Sequence, residues 1–132
     1  MNRLLVVEDD PGQQNLLQMI FKYSVKLDIV ADNTYNLKDA VSQLEKNEYS
    51  MIVCDLRLPY SENIRYTIDT IEKYKNNSKV VYCSVEDIDK QTFDFINESG
   101  SKFVSKNLDF MNYLQKELET NLSLDWNITE KK

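Results

Sequence analysis

The sequence predicts an α/β fold with a single five-stranded parallel sheet. Five short apolar runs occur along the chain, and each is followed by a segment with apolar residues at helical spacing. This alternation of strand and helix implies a parallel sheet with helices on both faces. The chain has 132 residues, which is enough for one domain with a substantial core.

All five runs have the length of a strand, and the third suits a strand that is buried on both faces of a parallel sheet. In chain order they are Arg3–Val7, Leu27–Ala31, Met51–Cys54, Lys79–Cys83 and Lys102–Ser105. The third run stops at the carboxylate of Asp55, and Pro59 breaks the chain soon afterwards. Taken alone, Asp55 fits two interpretations equally well, a ligand-binding carboxylate and a simple turn cap.

Apolar residues at helical spacing follow each run. We expect the first helix to begin at Pro11 with Asp10 as its N-cap, and Gly100 to end a fourth helix predicted over Asp87–Ser99. The predicted apolar faces are, helix by helix, Leu16, Leu17, Ile20 and Phe21; Leu37, Ala40, Val41 and Leu44; Ile64, Ile68 and Ile71; Ile88, Phe95 and Ile96; and Met111, Leu114, Leu118 and Leu122.

The elements follow one another without an internal linker, so residues 1–122 are predicted to form one domain. Residues 123–132 are a polar tail that carries the only tryptophan, Trp126. The tail fits a disordered segment or the start of a linker, and docking of Trp126 on the last helix is a further alternative.

The composition argues against several classes of protein. The formal charge of −6 and the pI near 4.7 do not supply the basic face that nucleic acid requires. Each apolar run is far shorter than the ~20 residues needed to cross a membrane, and we expect no signal peptide. The absence of histidine excludes His-based catalysis, His metal ligands and a histidine phospho-carrier. Two cysteines make no disulfide framework, which favours a cytoplasmic, reducing location.

The two cysteines, Cys54 and Cys83, each come just before a polar residue at the end of a predicted strand. The two thiols are therefore expected to lie side by side. The favoured interpretation is two small buried thiols, and a redox switch is the alternative.

Polar side chains follow four of the five strands. Glu8 and Asp9 follow the first, Asp55 the third, Ser84 the fourth and Lys106 the fifth. In a parallel sheet these positions lie at one rim, where open α/β sheets bind ligands. Singly, each residue has a structural explanation as a helix-start charge, a turn residue or a surface lysine. Together, the complementary groups at four strand ends favour a functional site.

Three carboxylates at one rim repel one another. Two unit charges about 4 Å apart cost on the order of 4 kcal/mol at an effective dielectric of 20, so the cluster requires a cation or a raised pKa. An all-oxygen site with open water positions suits Mg²⁺, with Mn²⁺ as the alternative. A carboxylate nucleophile, a divalent cation, an ammonium and a hydroxyl are the groups needed for phosphoryl transfer to an aspartate.

At these positions the chain resembles the receiver (REC) domains of two-component response regulators, the CheY-like superfamily. The resemblance covers roughly residues 3–120, and it rests on Leu-Leu-Val-Val-Glu-Asp-Asp at residues 4–10, Cys-Asp-Leu-Arg-Leu-Pro at residues 54–59, Ser84 and Lys106. It implies a doubly wound, flavodoxin-like (βα)5 fold with strand order 2-1-3-4-5.

The resemblance implies a role for each acidic residue. Asp55 is the expected phospho-acceptor, which takes a phosphoryl group from the phosphohistidine of a histidine kinase or phosphotransfer protein. The expected ligands of Mg²⁺ or Mn²⁺ are Asp9, Asp55 and the backbone carbonyl of Arg57, with Glu8 acting through water. No other cofactor is implied.

The resemblance also implies a conformational switch. Ser84 and Lys106 are expected to contact the phosphoryl group, and the aromatic ring of Phe103 is expected to follow Ser84 inward. The face formed by the fourth helix, fifth strand and fifth helix then changes its downstream protein partner. The chain is thus expected to be a signalling module and not an enzyme, apart from its own phosphorylation and dephosphorylation. A homodimer through the last helices is compatible with the sequence but is not required by it.

Three positions depart from the family pattern. Val85 follows Ser84 where the family usually has Ala or Gly, and a larger side chain there is expected to crowd the site. Asn107 replaces the usual Pro of a cis peptide, and a non-Pro cis bond costs roughly 2.5–4 kcal/mol, so the Lys106–Asn107 bond is either trans or strained. The loop over residues 60–63 lacks the usual Gly.

Two alternative functions remain open. The departures at Val85 and Asn107 are also compatible with a phosphorylation-independent docking module. A hydrolase of the haloacid dehalogenase type requires a second acid two residues after the nucleophile, and the chain has Arg57 there. The sequence therefore favours the phospho-acceptor module, with the docking module as the alternative.

Overall fold

Five strands form one parallel sheet in the order β2-β1-β3-β4-β5, which confirms the predicted fold. The structure is a computed structural model that describes residues 2–23, 29–59, 61–106, 110 and 112–118. The strands are β1 (Asn2–Val7), β2 (Ile29–Thr34), β3 (Met51–Asp55), β4 (Lys79–Ser84) and β5 (Lys102–Ser105). The helices are α1 (Pro11–Tyr23), α2 (Leu37–Lys46), α3 (Ile64–Tyr74), α4 (Lys90–Glu98) and α5, which is helical at residues 110 and 112–118.

Side chains alternate across the sheet and divide the core into two layers. On one face, residues such as Leu5, Val7 and Ile52 pack with α2, α3 and α4. On the other face, Leu4 and Val6 pack with α1 and α5. Because the central strands are buried on both faces, their sequences are continuous apolar runs. Their positions could therefore be predicted well.

The second strand differs from its prediction. It was expected over Leu27–Ala31, but β2 continues to Thr34, which pairs with Val7. The Thr34 hydroxyl also donates to the carbonyl of Val6 at 3.0 Å. Since β2 is an edge strand and partly exposed, its polar second half carries no apolar signal. The predicted residues 27 and 28 lie outside the described part of the chain.

The fourth helix begins later than predicted. It was expected from Asp87, but α4 starts at Lys90, because Asp89 is the N-cap and its side chain accepts the N–H of Thr92 at 2.7 Å. The predicted end is confirmed: Gly100 has φ +82°, a left-handed conformation that glycine adopts without strain. At the start of α1, Asp10 accepts the N–H of Gly12 at 2.8 Å, as expected of an N-cap.

One core residue and one cysteine contact were predicted wrongly. Leu16 is 43% exposed, so the buried face of α1 consists of Leu17, Ile20 and Phe21. Cys54 packs in the layer of α2, α3 and α4, whereas Cys83 packs in the layer of α1 and α5. Their side chains thus point to opposite faces of the sheet, which contradicts a redox switch between them. Both thiols are free and buried, which confirms the favoured interpretation.

Several predictions fall outside the described residues. They concern the inward-facing residues Met111 and Leu122, the Lys106–Asn107 bond and the tail over residues 123–132. Among the helices of the described residues, none is both long and apolar enough to span a bilayer.

Candidate functional site

The parallel register brings the four polar strand ends to one rim. Val7 pairs with Cys54, Asp55 with Cys83, and Ser84 with Ser105, so the residues that follow these pairs are also neighbours. Glu8 consequently lies beside Asp55, and Lys106 lies beside the end of β4. The backbone N–H of Lys106 donates to the carbonyl of Ser84 at 2.8 Å, which continues the pairing past β5.

Lys106 joins two acidic side chains at this rim. Its Nζ lies 2.5 Å from Glu8 Oε2 and 3.1 Å from Asp55 Oδ2. All three side chains are almost fully buried, with 7% of Lys106, 4% of Glu8 and 11% of Asp55 exposed. Charge-assisted hydrogen bonds of this kind are strong in a water-poor site. The arrangement aims one positive charge at the Asp55 carboxylate.

The other oxygen of Asp55 is bound by the loop that follows it. Asp55 Oδ1 accepts the backbone N–H of Arg57 at 2.9 Å, so each carboxylate oxygen has a donor. The Arg57 side chain points away and forms an ion pair with Glu86 at 3.1 Å. Asp55 is therefore held in orientation from both sides.

Three carboxylates offer oxygen ligands within a small volume. One oxygen each from Glu8, Asp9 and Asp55 lies within 4.8 Å of the others. Asp9 is exposed, and with Arg57 it borders an open cleft of about 410 Å³. The donors are all hard oxygens, and Mg²⁺ and Mn²⁺ favour such a set, so these residues fit a divalent cation.

Burial controls the charges of the cluster. It raises the pKa of Glu8 to about 7, with a further increase from Asp55, although the hydrogen bond from Lys106 opposes the change. Burial alone would lower the pKa of Lys106, but the neighbouring Cys83, Glu8 and Asp55 raise it above its ordinary range. One buried ammonium thus faces two buried acids, and Asp9 adds a third acid to the cluster. When all three acids are ionised, a divalent cation would balance the two negative charges that Lys106 leaves.

The two predicted switch residues lie next to this cluster. Ser84 is fully buried, and its hydroxyl accepts the N–H of Glu86 at 3.2 Å. Phe103 is half-buried on β5, opposite Tyr82, and packs against the layer of α2, α3 and α4. Val85 is 74% exposed, so its larger side chain points to solvent and does not crowd the site, contrary to our expectation.

Two residues near the site carried no signal in the sequence. Gln14 is buried in α1, and its amide donates to the carbonyls of Glu8 and Thr34 at 2.9 and 3.0 Å. It thereby holds the ends of β1 and β2 together where the acidic residues begin. Glu86 forms an ion pair with Arg57 that joins two loops, and loop contacts of this kind follow no sequence pattern.

The structure thus combines a five-stranded parallel sheet in the order 2-1-3-4-5 with an acidic cluster and a lysine at its carboxyl rim. The family model for the response regulator receiver domain matches residues 4–118. The chain therefore belongs to the receiver-domain family of two-component response regulators, whose members are signalling modules. The acidic cluster of Glu8, Asp9 and Asp55 lies at the site expected for this family.

Solved structures share the fold at low sequence identity. The signal receiver domain of a LuxO repressor protein from Vibrio parahaemolyticus is 17% identical, with a TM-score of 0.78 over 99% of this chain and 97% of that one. TrrA from Thermotoga maritima, solved with Mg²⁺ and BeF, is 20% identical, with a TM-score of 0.74 over 92% and 99% of the two chains. The Mn²⁺-bound response regulator Rcp1 is 18% identical, with a TM-score of 0.73 over 91% and 93%. A search of curated proteins found no significant match.

Proposed function

We propose that the protein is a phospho-acceptor module in which Asp55 takes a phosphoryl group from the phosphohistidine of a histidine kinase or phosphotransfer protein. The observation that carries the proposal is the position of Lys106, whose ammonium binds Asp55 Oδ2 at 3.1 Å inside an acidic cluster. A cytoplasmic location fits such a partner.

The reaction transfers a phosphoryl group between two nucleophiles. An Asp55 oxygen attacks phosphorus, the P–N bond to the donor imidazole breaks, and the bonding electrons leave with the imidazole. An acyl phosphate forms on Asp55. Lys106 neutralises charge that develops on the phosphoryl oxygens, and the Arg57 N–H holds the carboxylate in position.

The divalent cation belongs to the same proposal. Asp9, Asp55 and the backbone carbonyl of Arg57 would hold Mg²⁺ or Mn²⁺, and Glu8 would act through water. When bound, the cation stabilises the charge on the transferring group. Glu8 binds Lys106 at 2.5 Å and so orients the ammonium toward Asp55.

The response to phosphorylation involves Ser84 and Phe103. In the present state the Ser84 hydroxyl is bound to the N–H of Glu86, so movement toward a phosphoryl group requires that this bond breaks. Phe103 would then move into the released space, and the face of α4, β5 and α5 would change its binding partner.

The experiment is phosphorylation of the full chain by acetyl phosphate with Mg²⁺, followed by intact mass measurement. We expect one phosphoryl addition, which disappears in Asp55→Asn and persists in Asp10→Asn. The proposal fails when neither acetyl phosphate nor a cognate kinase produces an adduct.

A docking module that needs no phosphorylation is the second candidate. The observation in its favour is that Lys106 already pairs with Glu8 and Asp55, so Asp55 has its counter-charge without a phosphoryl group. This candidate predicts that partner binding is the same for the wild type, for Asp55→Asn and in the presence of beryllofluoride. The phospho-acceptor proposal predicts a change in partner binding with beryllofluoride for the wild type only.

A further inference from the structure

An open groove lies between α1 and the edge strand β2. It has a volume of about 580 Å³, and its apolar lining comes from Met19, Phe21, Ile29 and Ala31. Met19 is 53% exposed, so a large apolar side chain of α1 faces solvent at this groove. The groove is distant from the phosphorylation rim, because its residues lie in the second half of α1 and the first half of β2.

The strand beside the groove has a free edge. β2 pairs with β1 from Ile29 to Thr34, and in the described part of the chain no strand pairs with its other side. An edge of this kind presents a row of backbone N–H and C=O groups that a further strand can bind.

The chain contains a segment with a matching pattern. Residues 119–132 follow the described part of α5, and among them Leu124, Trp126 and Ile128 alternate with Asp125 and Asn127. Alternation with period two is the pattern of a strand that has one apolar face.

The segment is close enough to reach the groove. α5 packs in the same layer as α1, where Leu118 shares a buried cluster with Phe21 and with Leu4 of β1. A strand beyond β2 lies two strand spacings from β1, or about 10 Å. The five residues after Leu118 span at most about 17 Å when they are extended, so the proposal requires α5 to end before Leu122. The β1–α1–β2 connection and a connection from β5 through α5 to a strand beyond β2 would both run toward the β2 edge on the same face of the sheet. The two crossovers would therefore have the same hand.

We propose that residues 124–128 pair with the free edge of β2 as a sixth strand of the same molecule. Leu124, Trp126 and Ile128 then fill the groove beside Met19, and the intervening polar side chains face the opposite side of the sheet. The proposal does not depend on phosphorylation of Asp55.

The first test uses the fluorescence of Trp126, the only tryptophan in the chain. In the full chain we expect blue-shifted emission and several-fold weaker acrylamide quenching than in a synthetic peptide of residues 119–132. Met19→Asp places a charge in the groove and should return both values to those of the peptide. Leu16→Asp is the matched control, because Leu16 is 43% exposed on the same helix but does not line the groove, and it should have no effect.

The second test is hydrogen exchange at Ile29–Thr34. Trp126→Asp should make exchange in β2 several-fold faster, whereas Asn127→Asp, on the opposite face, should not. Neither variant alters the described core, so this test remains valid even when Met19→Asp unfolds the protein.

The proposal is overturned when Trp126 behaves as in the peptide, when Met19→Asp and Leu16→Asp act alike, or when β2 exchange is the same in all variants. Emission that depends on protein concentration would assign the groove to a second copy and would also overturn the proposal.

Discussion

Lys106 Nζ lies 3.1 Å from Asp55 Oδ2, although the two residues are 51 positions apart in the sequence. The contact exists because β3 and β5 flank β4 in parallel register, so that their ends meet at one rim. Lys106 is the buried counter-charge of two acids, and in the proposed function its ammonium also faces the phosphoryl oxygens. Substitution at Lys106 should therefore affect both properties.

Lys106→Met is expected to destabilise the protein by about 3 kcal/mol, because it leaves two buried acids without their counter-charge. Urea unfolding at neutral pH measures the loss. Lys102→Met is the control on the same strand: the Lys102 side chain is 53% exposed, its ion pair with Glu117 is peripheral, and the expected cost is below about 1 kcal/mol. Equal losses in the two variants would contradict a special role for the buried triad.

Asp9→Asn is expected to weaken Mg²⁺ binding by at least about tenfold, or about 1.4 kcal/mol, because Asp9 offers an exposed carboxylate oxygen to the cluster. Isothermal titration with Mg²⁺ measures the affinity. Asp10→Asn is the matched control, since Asp10 is the next residue and its side chain caps α1. If both variants bind Mg²⁺ like the wild type, Asp9 is not a ligand.

Tyr82→Phe should cost about 1.5 kcal/mol of unfolding free energy. The Tyr82 hydroxyl donates to Glu72 Oε2 at 2.7 Å, and the Ser101 hydroxyl donates to the same oxygen at 2.8 Å. The two hydrogen bonds link β4 and the residue before β5 to α3. Tyr66→Phe, at a position that is 45% exposed, should change stability by less than about 0.5 kcal/mol. A neutral Tyr82→Phe in thermal or urea unfolding would show that this network contributes no net stability.

Tyr49 should make stability fall at alkaline pH. Burial and the hydrogen bond to Asp32 raise the pKa of Tyr49 to about 12 in the folded protein, whereas the unfolded chain has the ordinary value of about 10. The folded state therefore holds the proton more tightly, and this contribution is complete below pH ~10 and is lost as the pH rises toward ~12. The stability difference between wild type and Tyr49→Phe should shrink over that range in urea unfolding. A difference that stays constant with pH would refute the assignment.

The parts of the fold that the sequence predicts well are those with strong burial. β1, β3 and β4 are buried on both faces, so apolar runs mark them and the polar residue at each end marks the rim. β2 was misplaced because Asp32, Asn33 and Thr34 at a sheet edge have no such pattern. Leu16 was assigned to the core because helical spacing alone does not show how wide a face the sheet covers.

The candidate site also has a part that the sequence predicts and a part that it does not. Glu8, Asp55 and Lys106 could be placed together from strand ends alone, because register fixes where strand ends meet. The Arg57–Glu86 ion pair and the outward direction of Val85 depend on loop conformation, which leaves no periodic signal in the sequence. The amide of Gln14 was also unforeseen, because its partners are backbone carbonyls.

The backbone at Asp55 is fixed by strand pairing that runs past the carboxylate. Asp55 pairs with Cys83, and the N–H of the next residue, Leu56, donates to the Cys83 carbonyl at 2.9 Å. The backbone that carries the carboxylate is thus anchored to β4. If Asp55 is the phospho-acceptor that we propose, we expect the rearrangement that follows its modification to occur in side chains such as that of Ser84 and in the loops around the site, and not in the backbone of β3.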